Sequence, residues 1–259
     1  MADRRQFLTR LAAASSTLLL SGCYDLSQTE WWPKVLGSAE GLTKGAERLF
    51  AGRKALAREF TKADLSPMFK ANGTTQLYQD GYNAMAANGF RDWRVAVDGL
   101  VEKPLSLSLD DLKRMPQRTQ ITRHDCVEGW SCIGEWSGPQ LRHVLAIARP
   151  RAEARYAVFH CADTDNDLNG NNGNPDLHYY ESLDLIEATH PQTILAHAMN
   201  GAPLGIPHGA PVRVRAERQL GYKMPKYVQR IELVASFDHI EGGKGGYWED
   251  QGYAWWGGI

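Results

Sequence analysis

The chain has 259 residues, 43% of them hydrophobic and 23% charged, with a formal net charge of -1. That balance describes a globular protein able to bury a core, and it excludes the disordered and fibrous classes. A near-neutral chain has no electrostatic footprint for nucleic acid, and beyond the N-terminus no apolar run is long enough to span a bilayer.

In chain order the first signal is Arg4-Arg5-Gln6-Phe7-Leu8 ahead of the apolar stretch from Leu11 to Leu20, which reads as a twin-arginine export signal. Leu20-Ser21-Gly22-Cys23 then resembles the lipobox of bacterial lipoproteins, whose cysteine is lipidated and becomes the first mature residue. Cleavage there removes Asp3 and three arginines, so the net charge falls from -1 to -3. The expectation is a periplasmic domain tethered at Cys23, with residues 1–23 as the signal. Twin-arginine export carries folded proteins, commonly enzymes loaded with a cofactor beforehand, and so favours a redox enzyme. Without Cys23 three cysteines remain, Cys126, Cys132 and Cys161. In an oxidising compartment at least one of them stays unpaired or ligates something. Pairing of Cys132 with Cys161 is open, because sequence does not place their Cα atoms.

Residues 24–71 have a helical rhythm, with Leu42, Ala46, Leu49 and Phe50 on one face, and are expected as a helical lead-in. Residues 94–97 are strand-like, Asp98-Gly99 is a turn signal, and Ser108 with Asp111 forms a capping box for a short helix ended by Pro116. Residues 120–122 suggest a strand running into Cys126. After Gly138-Pro139, Leu141, Val144, Leu145 and Ala148 share a helix face. Residues 156–161, 212–215 and 228–234 read as strands, and 182–189 as a helix. The segment 241–259 is glycine-rich, with Tyr247, Trp248, Tyr253, Trp255 and Trp256 expected to pack as a wrapping tail rather than to bind. No repeat or second-domain linker interrupts 72–240, so the pattern is a single α+β domain.

The chemistry centres on Cys126, flanked by His124, Asp125 and Glu128 and followed by Trp130 and Trp136. A nucleophile, a metal ligand and half of a disulfide are the options for such a thiol. Zinc lacks its usual ligand spacing, and the papain-type signature is missing. A soft metal that needs one thiolate fits better. Arg213, Arg215, Arg218, Lys223 and Lys226 form the densest basic stretch. Asp165, Asp167, Asn169, Gly170 and Asp176 match places in a calcium loop, but they follow a strand, so a solvated loop is expected ahead of a calcium site.

His124-Asp125-Cys126-Val127-Glu128-Gly129-Trp130-Ser131, followed by Gly138-Pro139-Gln140-Leu141, resembles the molybdenum-binding segment of the sulfite-oxidase fold family. It is most similar to the bacterial branch containing the periplasmic methionine sulfoxide reductase catalytic subunit. Val97-Asp98-Gly99-Leu100-Val101, Tyr179-Tyr180-Glu181-Ser182-Leu183-Asp184, His190-Pro191-Gln192-Thr193 and Gly209-Ala210-Pro211-Val212-Arg213 occur in the family's order, within a resemblance covering about 72–234.

The resemblance implies a molybdopterin-binding fold of mixed β-sheets flanked by short helices. It implies one molybdopterin per molybdenum, with Cys126 as the metal's thiolate ligand and as the catalytic centre. It also implies cofactor contacts from Asn72, Thr74, His124, Cys161, His208, Arg213, Met224, Pro225 and Lys226. His208 stands where the family often has Asn, and Cys161 where it has Thr. The implied activity is oxygen-atom transfer, reducing an S-oxide or N-oxide with electrons from a heme partner, a membrane b-type cytochrome. Sulfite oxidation, a non-catalytic molybdopterin-binding lipoprotein and a metal-free thiol enzyme are the alternatives. The sulfite oxidases add a C-terminal immunoglobulin-like dimerisation domain, for which the residues after Val234 are too few, so a monomer is expected.

Overall fold

The computed structural model describes Thr29, residues 31–50 and residues 52–259. Arg4-Arg5 and Cys23 lie outside the described residues. The chain divides after Phe50 into two units, each taken by itself. The first contributes helix α1 (Trp32–Phe50).

The lead-in expected to be helical over 24–71 departs from that expectation after Phe50. From Gly52 to Thr74 the described chain is extended apart from one turn of 3-10 helix at Lys62–Asp64. Tertiary partners override the local rhythm here. Phe60 N–H donates to Ile121 O at 2.8 Å and Ser66 N–H to Ile133 O at 3.1 Å. The Gln192 amide accepts from Ala57 N–H at 2.8 Å and donates to Ala57 O at 3.0 Å, as a strand neighbour would. Pro67, with no N–H and a fixed φ, also resists a helix.

The body then runs through α2 (Asp80–Ala87), β1 (Arg94–Gly99), β2 (Leu105–Ser108), α3 (Leu109–Arg114), β3 (Gln117–Asp125), β4 (Ser131–Pro139) and α4 (Leu141–Ala148). It continues with β5 (Tyr156–Thr164), α5 (Asp165–Leu168), β6 (His178–Asp184), α6 (Leu185–Ala188), β7 (Ile194–Ala196), β8 (Ala198–Met199) and β9 (Ala202–Pro203). Last come β10 (Arg213–Arg215), β11 (Val228–Val234) and α7 (Tyr247–Asp250).

Five strands form a mixed sheet in the order β2-β1-β11-β5-β6, parallel only at β1/β11. Four form a second, antiparallel sheet, β3-β4-β8-β9, and β7 pairs with β10 as a ribbon. This is the α+β architecture.

Local chemistry accounts for most elements. Val95 and Val97 alternate inward on β1, while Leu141, Val144, Leu145 and Ala148 put one face of α4 into the core. Each large aliphatic buried this way contributes about 1.5–3 kcal/mol. Ser108 and Asp111 close the capping box at α3. The helix expected over 182–189 is a correction: Ser182 pairs with Val158 in the sheet, and only Leu185–Ala188 turn helical, capped by Asp184. Residues whose N–H and C=O are taken by β5 have none to give a helix. The described cysteines are free, so Cys132 and Cys161 do not pair. Cys132 lies on β4 and Cys161 on β5, in different sheets.

Candidate functional site

The end of β3, the end of β5, β6, the loop from Gly221 to Lys226, the extended segment at Asn72 and the tail converge on one open cleft of about 650 Å³. Cys126, Asn72, Thr74, Met224, Pro225 and Lys226 border it.

Cys126 sits in a tight turn. Its N–H donates to Trp130 O at 2.9 Å, and Gly129 N–H returns to Cys126 O at 3.1 Å. Gly129 has φ +83°, a left-handed conformation natural only to glycine in such a turn. Trp130 Nε1 (2.9 Å) and Lys70 Nζ (3.3 Å) both donate to Glu128 Oε2 and pin the outside of the turn. The thiol is half-buried. Burial pushes its pKa above the ordinary value, and the Glu128 carboxylate adds to the shift. Among the described residues no histidine hydrogen-bonds Cys126, so the Cys-His pair of a thiol enzyme does not form.

His124 lies behind the turn, fully buried. Arg215 Nη1 donates to its Nδ1 at 2.9 Å. Arginine is an obligate donor, so Nδ1 is the acceptor and the ring proton sits on Nε2. Arg215 is itself fixed by Glu217, from Nε at 2.9 Å and Nη2 at 2.6 Å. Burial, with Arg215, Arg213 and Lys226 nearby, holds His124 well below its ordinary pKa. Gly221 passes directly over the ring, and a Cβ there would stand 2.5 Å from Nε2.

Two further cations hold the frame. Lys226 Nζ donates to the carbonyls of Asn72 (2.7 Å), Thr74 and Pro207 (3.1 Å), which uses its three protons. Arg213 donates to His208 O at 3.1 Å and Met224 O at 3.2 Å and stacks 5.1 Å from the centre of the Trp136 ring. Burial and Arg215 push Arg213 down to about 9, so it remains charged at neutral pH. Arg215 and Arg218 serve structure instead: Arg215 holds His124, and Arg218 pairs with Glu187. Cys161 is buried two residues before Asp163 on β5 and does not border the cleft.

Three buried polar atoms on the expected site residues have no hydrogen-bond partner, His124 Nε2, His208 Nδ1 and Arg213 Nε, and Trp136 Nε1 beside them has none either. Buried polar groups are rarely left so, and three beside buried cations fit a polar, anionic ligand.

A family model described as the oxidoreductase molybdopterin binding domain matches residues 83–239. The chain belongs to this family. It is 34% identical over 255 residues, 98% of this chain and 87% of the other, to the putative protein-methionine-sulfoxide reductase subunit YedZ1 of Azospira oryzae. It is 33% identical over 147 residues, 56% of this chain and 50% of the other, to the protein-methionine-sulfoxide reductase catalytic subunit MsrP of Campylobacter jejuni. The sulfane dehydrogenase SoxCD from Paracoccus pantotrophus aligns in structure with a TM-score of 0.49 and 24% identity, over 56% of this chain and 39% of that one.

The molybdopterin oxidoreductase domain brings further residues to the cleft that the sequence did not assign to the site. Asp163, Tyr179, Trp248 and Tyr253 border it. Asp163 had a signal: it opens the Asp-rich stretch from 163 to 170, just after the strand expected over 156–161, which carries Cys161. The tail aromatics expected only to pack are corrected in part. Tyr247 does stack on Tyr179, but Trp248 and Tyr253 reach the cleft. The physical cause is buried: Lys223 joins Glu181 on β6 to Glu249 on α7 and locks the tail there. In the calcium-like loop, Asp165 accepts from Tyr247 and Asn169, while Asp167 turns inward to Tyr78 N–H (2.7 Å) and Gln79 (2.6 Å). The two carboxylates therefore do not converge, and among the described residues no cluster of three or more His, Cys, Asp or Glu is placed to hold a metal.

Proposed function

We propose that this molybdopterin oxidoreductase reduces an S-oxide or N-oxide, protein methionine sulfoxide among them, by oxygen-atom transfer at one molybdenum held by one molybdopterin. The observation that carries the reading is Cys126 on the wall of the cleft, in a chain 34% identical over 98% of its length to a relative named as a putative methionine-sulfoxide reductase subunit.

In this reading Cys126 would hold the metal as a thiolate, the form a bound metal ion favours. His124 Nε2–H, Arg213 Nε–H and His208 Nδ1, buried behind the cleft wall, would hold the organic part of the cofactor. Asn72, Thr74, Met224, Pro225 and Lys226 shape the wall, and Cys161 supports it from β5. The bound group supplies the two-electron oxygen transfer. The protein orients it and limits water, and it keeps His124 neutral through Glu217 and Arg215. Electrons arrive singly from a heme-bearing membrane partner. The chain is exported through Arg4-Arg5 to the periplasm, held at Cys23, and works as a monomer.

Metal analysis of the purified protein, combined with a reduced-viologen assay across sulfoxides, N-oxides and sulfite, tests this. The expected result is one molybdenum per chain and sulfoxide-dependent dye oxidation. Protein without molybdenum refutes the reading, and sulfite oxidation reverses its direction.

A further inference from the structure

Asp163 closes β5 as a buried carboxylate on the cleft wall. Its Oδ2 accepts from Thr74 Oγ1 at 2.8 Å, while Oδ1 is buried with no hydrogen-bond partner. No cation pairs with it directly, because the three protons of Lys226 go to backbone carbonyls. A lone buried carboxylate is costly when ionised, and the relief open to it is a proton on the unpartnered oxygen.

Resting on the sulfoxide-reductase reading above, we infer that Asp163 is the proton donor of the cleft, its carboxyl passing a proton to the oxygen that leaves as water. The reduction takes a sulfoxide, two electrons and two protons to the corresponding sulfide and one water. The S–O bond breaks, one proton comes from Asp163 and one from solvent, and the electrons come one at a time from the heme-type donor. A proton from solvent then restores the acid form of Asp163.

The other groups on the cleft are committed elsewhere. Glu128 is exposed and spends Oε2 on Trp130 and Lys70. The Tyr179 hydroxyl donates to Tyr222 O at 2.8 Å. Burial raises Asp163 to about 7, opposed by Lys226, which burial and Arg213 lower to about 7 in its turn, and by the Thr74 hydroxyl, and reinforced by Asp167 on α5. Cys161, Tyr179, Tyr82 and Tyr227 also feel its charge, and burial keeps each of them protonated at neutral pH. A donor is most effective when its pKa lies near the working pH.

The test uses the Asp163→Asn holoenzyme beside wild type, with dimethyl sulfoxide and reduced viologen as substrates. Molybdenum content, melting temperature and infrared difference spectra are read in parallel. Unchanged molybdenum and melting are expected, with kcat lower by about 100-fold or more. Wild-type kcat should fall as pH rises through about 7, because only the protonated acid donates, and the variant should lose that limb. A protonated-carboxyl band titrating near pH 7 belongs to wild type and is absent from the variant. Thr74→Val, which removes the hydroxyl on Oδ2, moves its midpoint upward and assigns the band even if Asp163→Asn folds poorly. An Asp163→Asn kcat within about threefold of wild type overturns the inference, as does a variant that binds no molybdenum, which would make Asp163 a cofactor-holding carboxylate. A wild type that oxidises sulfite and reduces no sulfoxide sinks the functional reading and the direction of transfer together. A carboxyl band that never titrates sinks Asp163 alone.

Discussion

Lys223 lies with less than a few per cent of its side chain exposed, its ammonium shared between Glu181 and, at 2.5 Å, Glu249. Burial opposes that charge, but the two carboxylates more than offset it and raise the Lys223 pKa. Replacing Lys223 with Met keeps the length of the side chain and leaves two buried carboxylates facing each other. Removing one member of a buried ionic group costs about 3–5 kcal/mol. At about 2–4 °C per kcal/mol for a domain this size, the melting temperature should fall by about 6–20 °C near neutral pH. The pH dependence is the sharper test. Burial and Glu249 already raise Glu181 above its ordinary 4.5 in wild type, and without the Lys223 ammonium it holds its proton to higher pH still. The unfolded chain releases that proton above about 4.5, so the variant loses about 1.4 kcal/mol per pH unit above it. The variant therefore loses more stability than wild type as pH rises, and its deficit should shrink from pH 7 to pH 5. Denaturant melts at several pH values measure it. The triple variant Lys223→Met, Glu181→Gln, Glu249→Gln, with no buried charge, should recover at least half of the loss. A deficit that is constant with pH, or grows towards acid, refutes the reasoning.

Cys126→Ser should fold with an unchanged melting profile yet purify without stoichiometric molybdenum, as metal analysis would show; full loading and turnover would remove Cys126 from the site. Gly221→Ala drives a Cβ to within 2.5 Å of His124 Nε2 and should cost about 1–3 kcal/mol in urea unfolding, with the His124 ring resonances shifted. His190, held down to about 4 by burial and Arg218, is neutral when folded and protonates below about 6.5 when unfolded. Its contribution is present above 6.5 and lost as pH falls towards 4. Wild type should therefore lose about 2–3 kcal/mol relative to His190→Gln across that window, and parallel stability curves would contradict the assignment.

What could be read from sequence alone is what local chemistry determines. The capping box at Ser108 and Asp111, the single apolar face from Leu141 to Ala148 and the strand at 228–234 need only neighbours in the chain, and they form as expected. The motif around Cys126 was legible for the same reason, since its turn is closed by Gly129 and Trp130 a few residues on. Long-range partners decided the rest. Gln192, 135 residues from Ala57, holds the lead-in extended, and β5 claims Ser182 from a helix. Lys223 carries Trp248 and Tyr253 to the cleft by way of Glu249. His124 owes its tautomer to Arg215, 91 residues away, and Asp163 owes its unpartnered oxygen to the side chains folded around it. Periodicity and short motifs record which face a residue presents, whereas its charge state and its partners depend on segments that meet only when the sheets assemble.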